Sequence, residues 1–259
     1  MKFTYILAPL EDTSDQALRT LCHKYGADIT FTEMARTDSL ARNNKATLSR
    51  TILQDETPTW IQITGSQDNL LKRYLAHFEP QKGFLGFNFN IGCPAPQMIK
   101  NGLGCAMIKR ISKMKKLVQI VKDYSYPVSI KMRLGLNRFE KERKVYLNLI
   151  DAVDVEFFVI HGRYGSQTYE EPADYDAIIE CAKSGKNIVA NGDIITKDQV
   201  ELFRSSGVKG VMIGRAAVFN PAIFNILKGQ PAPDLNHLKL EYLELSNRFN
   251  APFKYQKNV

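Results

Sequence analysis

The chain lacks several features that would assign it to a special class of protein. It has only four cysteines in 259 residues, far apart and without a Cys-x-x-Cys pair or a histidine at metal-ligand spacing. This pattern disfavours both a disulfide framework and a zinc site. No apolar run is long enough to cross a membrane, and the N-terminal segment lacks the pattern of a signal peptide. We therefore expect reduced thiols, no bound metal, no membrane association and a cytoplasmic location.

The composition is otherwise that of an ordinary globular protein. Hydrophobic residues make up 44% and charged residues 24% of the chain, which is long enough for one large α/β domain with a small appendage. The formal net charge of +8 is unevenly distributed, because residues 109–144 contain twelve lysines and arginines but only three acids. Such a stretch is a candidate surface for a polyanion, although basic runs are more often solvated helix faces.

Short β-rich segments alternate with amphipathic stretches, which is typical of parallel strands joined by crossover helices. The eight predicted strands are Tyr5–Ala8, Asp28–Thr32, Thr59–Thr64, Phe84–Asn90, Pro127–Met132, Glu156–His161, Asn187–Asn191 and Gly210–Ile213. Predicted crossover helices include Glu140–Val153, Tyr175–Ala182 and Lys197–Ser205. No GxGxxG motif follows the first strand, so the pattern favours a (β/α)8 TIM barrel over a doubly wound α/β sheet.

The composition changes after Gly229. The segment Gln230-Pro231-Ala232-Pro233 predicts a linker, and an apolar stripe at helical spacing follows it, formed by Leu238, Tyr242, Leu245 and Phe249. We therefore predict a barrel over residues 1–229, and over residues 230–259 a linker and the start of a C-terminal helical element. That element is either a minimal one packed on the barrel or a longer helical domain cut short.

The predicted strands end in polar residues, and in a barrel the carboxyl ends of the strands form the active-site face. The residues at these ends are Ala8-Pro9, Glu33, Gln62, Asn88 and Asn90, Gly92-Cys93-Pro94, Lys131 and Arg133, His161-Gly162-Arg163, Asn191-Gly192-Asp193 and Gly214-Arg215. Amides, a thiol, a lysine and a histidine that converge on one mouth indicate a common ligand.

Two parts of this mouth favour an anionic ligand. In the last two loops, Gly192 and Gly214 would allow the backbone to approach a phosphate closely, and Arg215 would add a charged contact, although both glycines could simply form tight turns. Lys131 needs an anionic partner, such as a reduced flavin, and Gln62 could bind the pyrimidine edge of that ring. For Lys131 and Gln62 the alternative is a side-chain network inside the barrel.

Cys93 is the candidate reactive thiol. It lies between a glycine and a proline in a loop that follows a strand, where the thiol can project into the mouth. Cys22 and Cys181 lie on predicted helix faces and are typical core residues, whereas Cys105, in a second glycine-rich loop, is the closest competitor.

The whole set of motifs resembles the tRNA-dihydrouridine synthases. The segments that carry the resemblance, in the order of that family, are Ala8-Pro9-Leu10-Glu11-Asp12-Thr13-Ser14-Asp15, Thr32-Glu33-Met34, Gln62-Ile63-Thr64-Gly65, Asn90-Ile91-Gly92-Cys93-Pro94, Ile130-Lys131-Met132-Arg133-Leu134-Gly135, His161-Gly162-Arg163, Asn191-Gly192-Asp193-Ile194 and Gly214-Arg215. The resemblance covers about residues 8–224, and Asn-x-Gly-Cys-Pro is its most specific motif.

The resemblance implies a two-stage reaction. NADPH would reduce FMN, the reduced flavin would pass hydride to C6 of a flipped-out uracil in tRNA, and Cys93 would protonate C5. By motif position, the residues that would bind FMN are Ala8, Pro9, Leu10, Gln62, Lys131, His161, Asn191, Asp193, Gly214 and Arg215. Asn90 and Arg163 would contact the uracil or its phosphate.

This chain departs from the family's pattern in two places. Tyr164 and Gly165 stand where the family usually has threonine and a second arginine, and only about thirty residues follow Gly229 where the family carries a helical domain that helps to grip tRNA. Two alternative functions therefore stay open: a small-molecule FMN oxidoreductase of the dihydroorotate dehydrogenase or ene-reductase type, and a tRNA-binding module without catalysis. The sequence does not indicate the modified uridine, the preference between NADPH and NADH, or the oligomeric state.

Overall fold

A computed structural model describes residues 1–256 of the chain. The strands are β1 (Thr4–Leu7), β2 (Thr30–Phe31), β3 (Ala35–Arg36), β4 (Thr59–Thr64), β5 (Phe84–Ile91), β6 (Val128–Arg133), β7 (Phe158–His161), β8 (Ile188–Asn191) and β9 (Gly210–Ile213). The α-helices are α1 (Gln16–Lys24), α2 (Thr37–Ala41), α3 (Lys45–Leu48), α4 (Asp68–Leu75), α5 (Pro96–Lys100), α6 (Ile111–Asp123), α7 (Arg138–Glu142), α8 (Val145–Ala152), α9 (Tyr175–Ala182), α10 (Lys197–Ser205), α11 (Arg215–Phe219), α12 (Ile223–Lys228), α13 (Leu235–Arg248) and α14 (Phe253–Gln256). Two short 3-10 helices span Ser49–Thr51 and Gly104–Met107. None of the helices in residues 1–256 has both the length and the apolar character needed to span a membrane.

The strands form a parallel barrel, as the sequence predicts. Their order around the sheet is β1-β9-β8-β7-β6-β5-β4-β2, and β3 pairs with β4 above β2. The barrel closes where Leu7 N donates to Ile29 O at 2.9 Å. All eight predicted strands are present within a few residues of their predicted ends, and the TIM-barrel prediction is confirmed. The sequence missed β3, which has only two residues.

One predicted crossover helix is wrong in its extent. The segment Glu140–Val153 was expected to be a single helix, but it is divided between α7 and α8. The break lies at Lys144, whose backbone is left-handed with φ 51°. Left-handed backbone ends helical hydrogen bonding, and lysine gives no sequence signal for it. The other two predicted crossovers match α9 and α10 at both ends.

The barrel interior is apolar at its base and polar at its mouth. Its apolar part is a separate buried cluster made of Ile6, Ala8, Phe31, Trp60, Phe157, Val159, Val189 and Met212. Successive side chains of a strand alternate between the two faces, so the residue two positions later faces the same way. Gln62, His161 and Asn191 therefore follow Trp60, Val159 and Val189 into the interior. The apolar cluster forms the floor of a polar mouth.

The C-terminal helix α13 packs on α1. Leu238 and Tyr242 are buried in the main core with Phe249, and Leu245 packs against its edge. The apolar stripe predicted from the sequence is therefore confirmed. Residues 257–259 of the predicted C-terminal segment lie outside the described residues, and the predicted boundary at residue 229 stays a prediction.

Candidate active site

The strand register brings the predicted site residues together at one end of the barrel. Asn90 is the register partner of Lys131, Arg133 of His161, and His161 in turn of Asn191. These residues therefore lie within two residues of one another in register, at the carboxyl ends of four neighbouring strands. Ala8, Pro9 and Leu10 follow β1, and Gly214 and Arg215 follow β9 on the closing side of the same mouth.

The Cys93 loop is held by Asn90. Asn90 Oδ1 accepts hydrogen bonds from the backbone N–H groups of Gly92 at 3.1 Å and Cys93 at 3.0 Å. Asn90 Nδ2 donates to Gln62 Oε1 at 2.8 Å. Cys93 itself is half-buried, whereas Cys22, Cys105 and Cys181 are buried. In the structure Asn90 thus contacts the Cys93 loop, and its predicted contact with a uracil stays a prediction.

The competitor thiol, Cys105, packs behind this loop. Its backbone N–H donates to Cys93 O at 3.1 Å, and its Sγ donates to Gly92 O at 3.2 Å. Burial raises the pKa of the Cys105 thiol to about 12. The preceding Gly104 has φ 56°, and a Cβ there would overlap the Cys93 carbonyl oxygen. Cys105 therefore supports the loop, whereas Cys93 is the more exposed of the two residues.

Lys131 carries an unpaired cation in the mouth. Among the residues that the structure describes, its Nζ makes no hydrogen bond and no ion pair. Burial and the neighbouring Arg133 guanidinium lower the pKa of Lys131 to about 8. An ammonium held in this position without a partner is costly, and a bound anion would remove that cost.

A cluster of charged groups lies in the loops that follow β7, β8 and β9. Arg163 is only 1% exposed and pairs with both carboxylate oxygens of Asp193, while its Nη1 lies 3.3 Å from His161 Nε2. Arg215 Nη2 also contacts Asp193, at 2.8 Å. Burial and the surrounding cations lower the pKa of His161 to about 2, so its imidazole is neutral. The predicted roles of Asp193 in binding the cofactor and Arg163 in binding substrate stay predictions.

A pocket of about 320 Å³ opens between the loops that follow β8 and β9. It is lined by residues 191–195 and 212–216 and by Phe219. Gly192 has φ 121°, and a Cβ there would lie 2.8 Å from Ala173 Cβ. At Gly214 such a Cβ would make ordinary van der Waals contacts with Ala8 Cβ at 3.6 Å and Leu10 Cδ2 at 3.7 Å, so it would meet no steric overlap. The pocket, with Arg215 at its edge, fits a phosphate group.

Tyr169 covers the rim of the charged cluster. Its ring stacks on the His161 ring at 6.0 Å between centroids. The guanidinium carbons of Arg215, Arg163 and Arg133 lie 4.5, 5.4 and 5.6 Å from its centroid. The ring is nevertheless 56% exposed. It is therefore a candidate surface for an arriving base as well as a rim cover.

Sequence reasoning placed Asn88 at a strand end but missed Ser129, its polar neighbour beneath the mouth. Asn88 and Ser129 are fully buried, and Asn88 Nδ2 donates to Ser129 Oγ at 2.9 Å. A signal was present, because they precede Asn90 and Lys131 by two residues and therefore face the same interior. Polar residues at two successive interior positions indicate a hydrogen-bonded layer.

The departure at Gly165 has a structural reason. A Cβ there would lie 2.7 Å from Leu136 O and 3.3 Å from the Cys105 Sγ. The loop after β7 packs closely on Cys105, which supports the Cys93 loop. This packing leaves no room for an arginine at position 165.

The basic stretch 109–144 is largely neutralised by acids. Seven of its twelve basic side chains form ion pairs, namely Lys109, Lys113, Lys116, Lys122, Arg138, Lys141 and Lys144. Most of their partners lie outside the stretch, for example Asp68 and Asp154. The sequence alone therefore overstates the free positive charge of this surface.

Comparisons with known proteins identify one family and the barrel fold. A family model described as "Dihydrouridine synthase (Dus)" matches residues 6–249. The chain is 30% identical to tRNA-dihydrouridine synthase B of Pseudomonas putida, with 92% of this chain and 74% of that protein covered. It is 31% identical to a probable tRNA-dihydrouridine synthase of Helicobacter pylori, with 98% and 80% covered. Among solved structures, morphinone reductase in complex with tetrahydroNAD matches with a TM-score of 0.59 at 10% identity, with 93% of each chain covered. This last likeness concerns the fold alone.

Proposed function

Because this chain belongs to the dihydrouridine synthase family, we propose that it reduces the C5–C6 double bond of a uridine in tRNA, with FMN as cofactor and NADPH as reductant, in the cytoplasm. The observation that carries the proposal is the meeting of two groups at the mouth. Cys93 is the one half-buried cysteine in residues 1–256, and Asn90 holds its loop. Lys131, an unpaired cation, is the register partner of Asn90 on the neighbouring strand.

FMN, when bound, would supply the hydride that reaches C6 of the uracil. In this chain Lys131 provides a cation for the ring edge that becomes negative on reduction, and Gln62 provides an amide for the pyrimidine edge. The backbone at Gly214, together with Arg215, binds the phosphate in the 320 Å³ pocket. The remaining proposed cofactor contacts are Ala8, Pro9, Leu10, His161, Asn191 and Asp193.

Asp193 contributes to this site by holding two arginine side chains in place. Its carboxylate contacts both Arg163 and Arg215, which would otherwise repel each other across the mouth. Neutral His161 can donate one hydrogen bond to a ligand without adding a further positive charge. This arrangement keeps Arg215 at the edge of the phosphate pocket.

Cys93 is the proposed proton donor. A thiol is a weak acid that holds its proton at neutral pH and can release it to a carbon that gains electron density. Asn90 holds the backbone on the N-terminal side of Cys93 Cα through the N–H groups of Gly92 and Cys93. The proton at Sγ is thereby kept at a defined place above the mouth.

The uracil must leave the tRNA stack to reach this mouth, because stacked or paired bases are closed to a reactive group. Asn90 offers an amide and Arg163 a positive field for the flipped nucleotide. Tyr169 offers an exposed ring at the rim on which a base can stack.

The test is to purify the protein, record its visible spectrum, and assay dihydrouridine in tRNA from cells that lack the modification, with NADPH present. The proposal predicts a yellow protein that forms dihydrouridine. A yellow protein inert on tRNA would support a small-molecule FMN oxidoreductase instead, and a colourless, inert protein would leave only a binding module.

A further inference from the structure

We propose that Asn88 and Ser129 are positioning residues for Cys93. Together with Gln62 and Asn90 they form a hydrogen-bond chain that runs in one direction and holds the backbone of the loop that carries the thiol. The role in catalysis rests on the function proposed above, but the structural effect can be measured without tRNA or reductant.

The chain consists of three side-chain hydrogen bonds across neighbouring strands. Asn90 Nδ2 donates to Gln62 Oε1 at 2.8 Å, and Gln62 Nε2 donates to Asn88 Oδ1 at 2.8 Å. Asn88 Nδ2 then donates to Ser129 Oγ at 2.9 Å. Gln62, Asn88 and Ser129 are register partners in turn on β4, β5 and β6, and all three are buried.

The direction of this chain is set by the Cys93 loop. An amide side chain can bind with either end, but the backbone N–H groups of Gly92 and Cys93 can only donate, so Asn90 must present its oxygen to them. Its nitrogen then faces Gln62, which must present oxygen. The Gln62 nitrogen then faces Asn88, which must present its oxygen. The Asn88 nitrogen is left to donate to the Ser129 hydroxyl, where the chain ends.

The hydrogen-bond chain in turn restricts the orientation of the Asn90 amide, and therefore the position of the loop. If the Asn90 amide turned over, its nitrogen would face two backbone donors and its oxygen would face the Gln62 oxygen. Gln62 could turn to match only if Asn88 also turned and the Ser129 hydroxyl donated to it instead of accepting, and the two backbone N–H groups would still face the Asn90 nitrogen. Removal of the Ser129 hydroxyl leaves a buried donor without a partner and frees Asn88 to shift.

The far side of the loop is held independently. Cys105 N donates to Cys93 O at 3.1 Å, and Cys105 Sγ to Gly92 O at 3.2 Å. The loop is thus fixed from two sides, by the amide chain through its N–H groups and by Cys105 through its carbonyls. Weakening of the amide chain should loosen the N–H side without unfolding the loop.

The experiment compares Ser129→Thr with Ser129→Val in the full-length protein. Threonine and valine have nearly the same shape and differ in the hydroxyl, so both add the same volume and only valine breaks the chain. The readouts are hydrogen exchange of the Gly92 and Cys93 amides and the rate of Cys93 alkylation by iodoacetamide, mapped by mass spectrometry. Ser129→Ala, which adds no volume, serves if the larger side chains prevent folding.

The expected result is a roughly ten-fold faster exchange of both amides in Ser129→Val, with faster alkylation, while Ser129→Thr stays near wild type. Thr59→Val is the matched control. It removes a buried hydroxyl on β4, at the other end of the barrel, which lies 2.8 Å from Thr30 Oγ1. This variant should leave both amides unchanged.

Equal exchange in Ser129→Thr and Ser129→Val, or an equal effect of Thr59→Val, would overturn the proposal and make Ser129 a packing residue. The exchange result stands even if the protein proves inert on tRNA, so failure of the proposed function is distinguishable. If the protein forms dihydrouridine, Ser129→Val should lower kcat with little change in KM for tRNA or in the flavin spectrum. Ser129→Thr should rescue kcat.

Discussion

At the scale of single residues, the position of the Cys93 thiol depends on a glycine that carries no chemistry. A Cβ on Gly104 would overlap Cys93 O, and the residue has φ 56°. We predict that Gly104→Ala displaces the Cys93 loop and lowers dihydrouridine formation by about ten-fold or more. The measurement is initial rate on tRNA, together with urea unfolding.

Gly185→Ala is the control for backbone strain. Gly185 also has positive φ, at 75°, but nothing lies within 4 Å of a Cβ built there. The Gly185→Ala variant should be about 1 kcal/mol less stable than wild type and should keep normal activity. Equal activity of the two variants would contradict the importance of the loop's position.

Lys131 gives the mouth a pH dependence. Burial and Arg133 lower its pKa from 10.5 to about 8, so the folded protein releases this proton as pH rises through about 8, while the unfolded chain holds it until about 10.5. A bound anion favours the charged ammonium. We therefore predict that affinity for reduced FMN falls as pH rises above about 8.

The measurement is the Kd of reduced FMN from pH 7 to pH 10 in wild type and Lys131→Met. The variant should bind more weakly at pH 7 and lose the dependence above pH 8. His161 should not contribute between pH 5 and 8, since its pKa is lowered to about 2. An unchanged pH profile in Lys131→Met would contradict the assignment.

Much of the candidate site could be predicted from the sequence, because carboxyl ends of parallel strands must converge. This rule located Cys93, Lys131 and His161. It could not show that Asp193 pairs with Arg163 and Arg215, because those contacts depend on loop conformation. Local sequence favoured Cys93 over Cys105, but it could not show that Cys105 is buried behind the Cys93 loop.

At the scale of secondary-structure elements, alternation and buried apolar runs predicted the strands well. The failures were local: β3 is too short to give a pattern, and Lys144 adopts a left-handed backbone that its residue type does not suggest. Neither failure alters the barrel, because strand pairing is decided by the longer elements.

Helix α13 allows a direct test of packing at this scale. Leu238 is 2% exposed in the core, whereas Leu240 on the same helix is 63% exposed. We predict that Leu238→Ala lowers the free energy of unfolding by about 2–4 kcal/mol, because it leaves a cavity against α1. Leu240→Ala should change it by less than about 0.5 kcal/mol.

Urea unfolding of both variants is the measurement. Similar small losses of unfolding free energy in Leu238→Ala and Leu240→Ala would show that α13 does not pack firmly on the barrel. The predicted division at residue 229 would then gain support, because the C-terminal part would behave as a separate unit. A large loss for Leu238→Ala alone would mean that α13 contributes to the barrel's own stability.

At the scale of the whole molecule, the net charge of +8 predicts salt-sensitive tRNA binding. The location of the charge matters, because each helix that follows a barrel strand begins at the mouth and ends at the opposite face. Arg110 precedes α6 near the mouth and has no acidic partner in residues 1–256, whereas Lys122 lies near the far end and pairs with Asp154 at 2.8 Å.

We predict that Arg110→Ala reduces the slope of log affinity against log salt by about 1 and weakens binding similarly for different tRNAs. Lys122→Ala should leave the slope unchanged. The measurement is tRNA binding between about 50 and 200 mM salt. An equal effect of the two variants would contradict an approach of tRNA over the mouth.

The central claim is that Cys93 protonates a uracil reduced at this mouth, and single-turnover kinetics test it most directly. Protein whose flavin has been reduced beforehand is mixed with unmodified tRNA, and dihydrouridine is followed in wild type, Cys93→Ala and Cys105→Ala. We predict rapid formation by wild type and Cys105→Ala, and a loss of about a hundred-fold or more in Cys93→Ala with its flavin still bound. Wild-type rates in Cys93→Ala, or a larger loss in Cys105→Ala, would contradict the assignment.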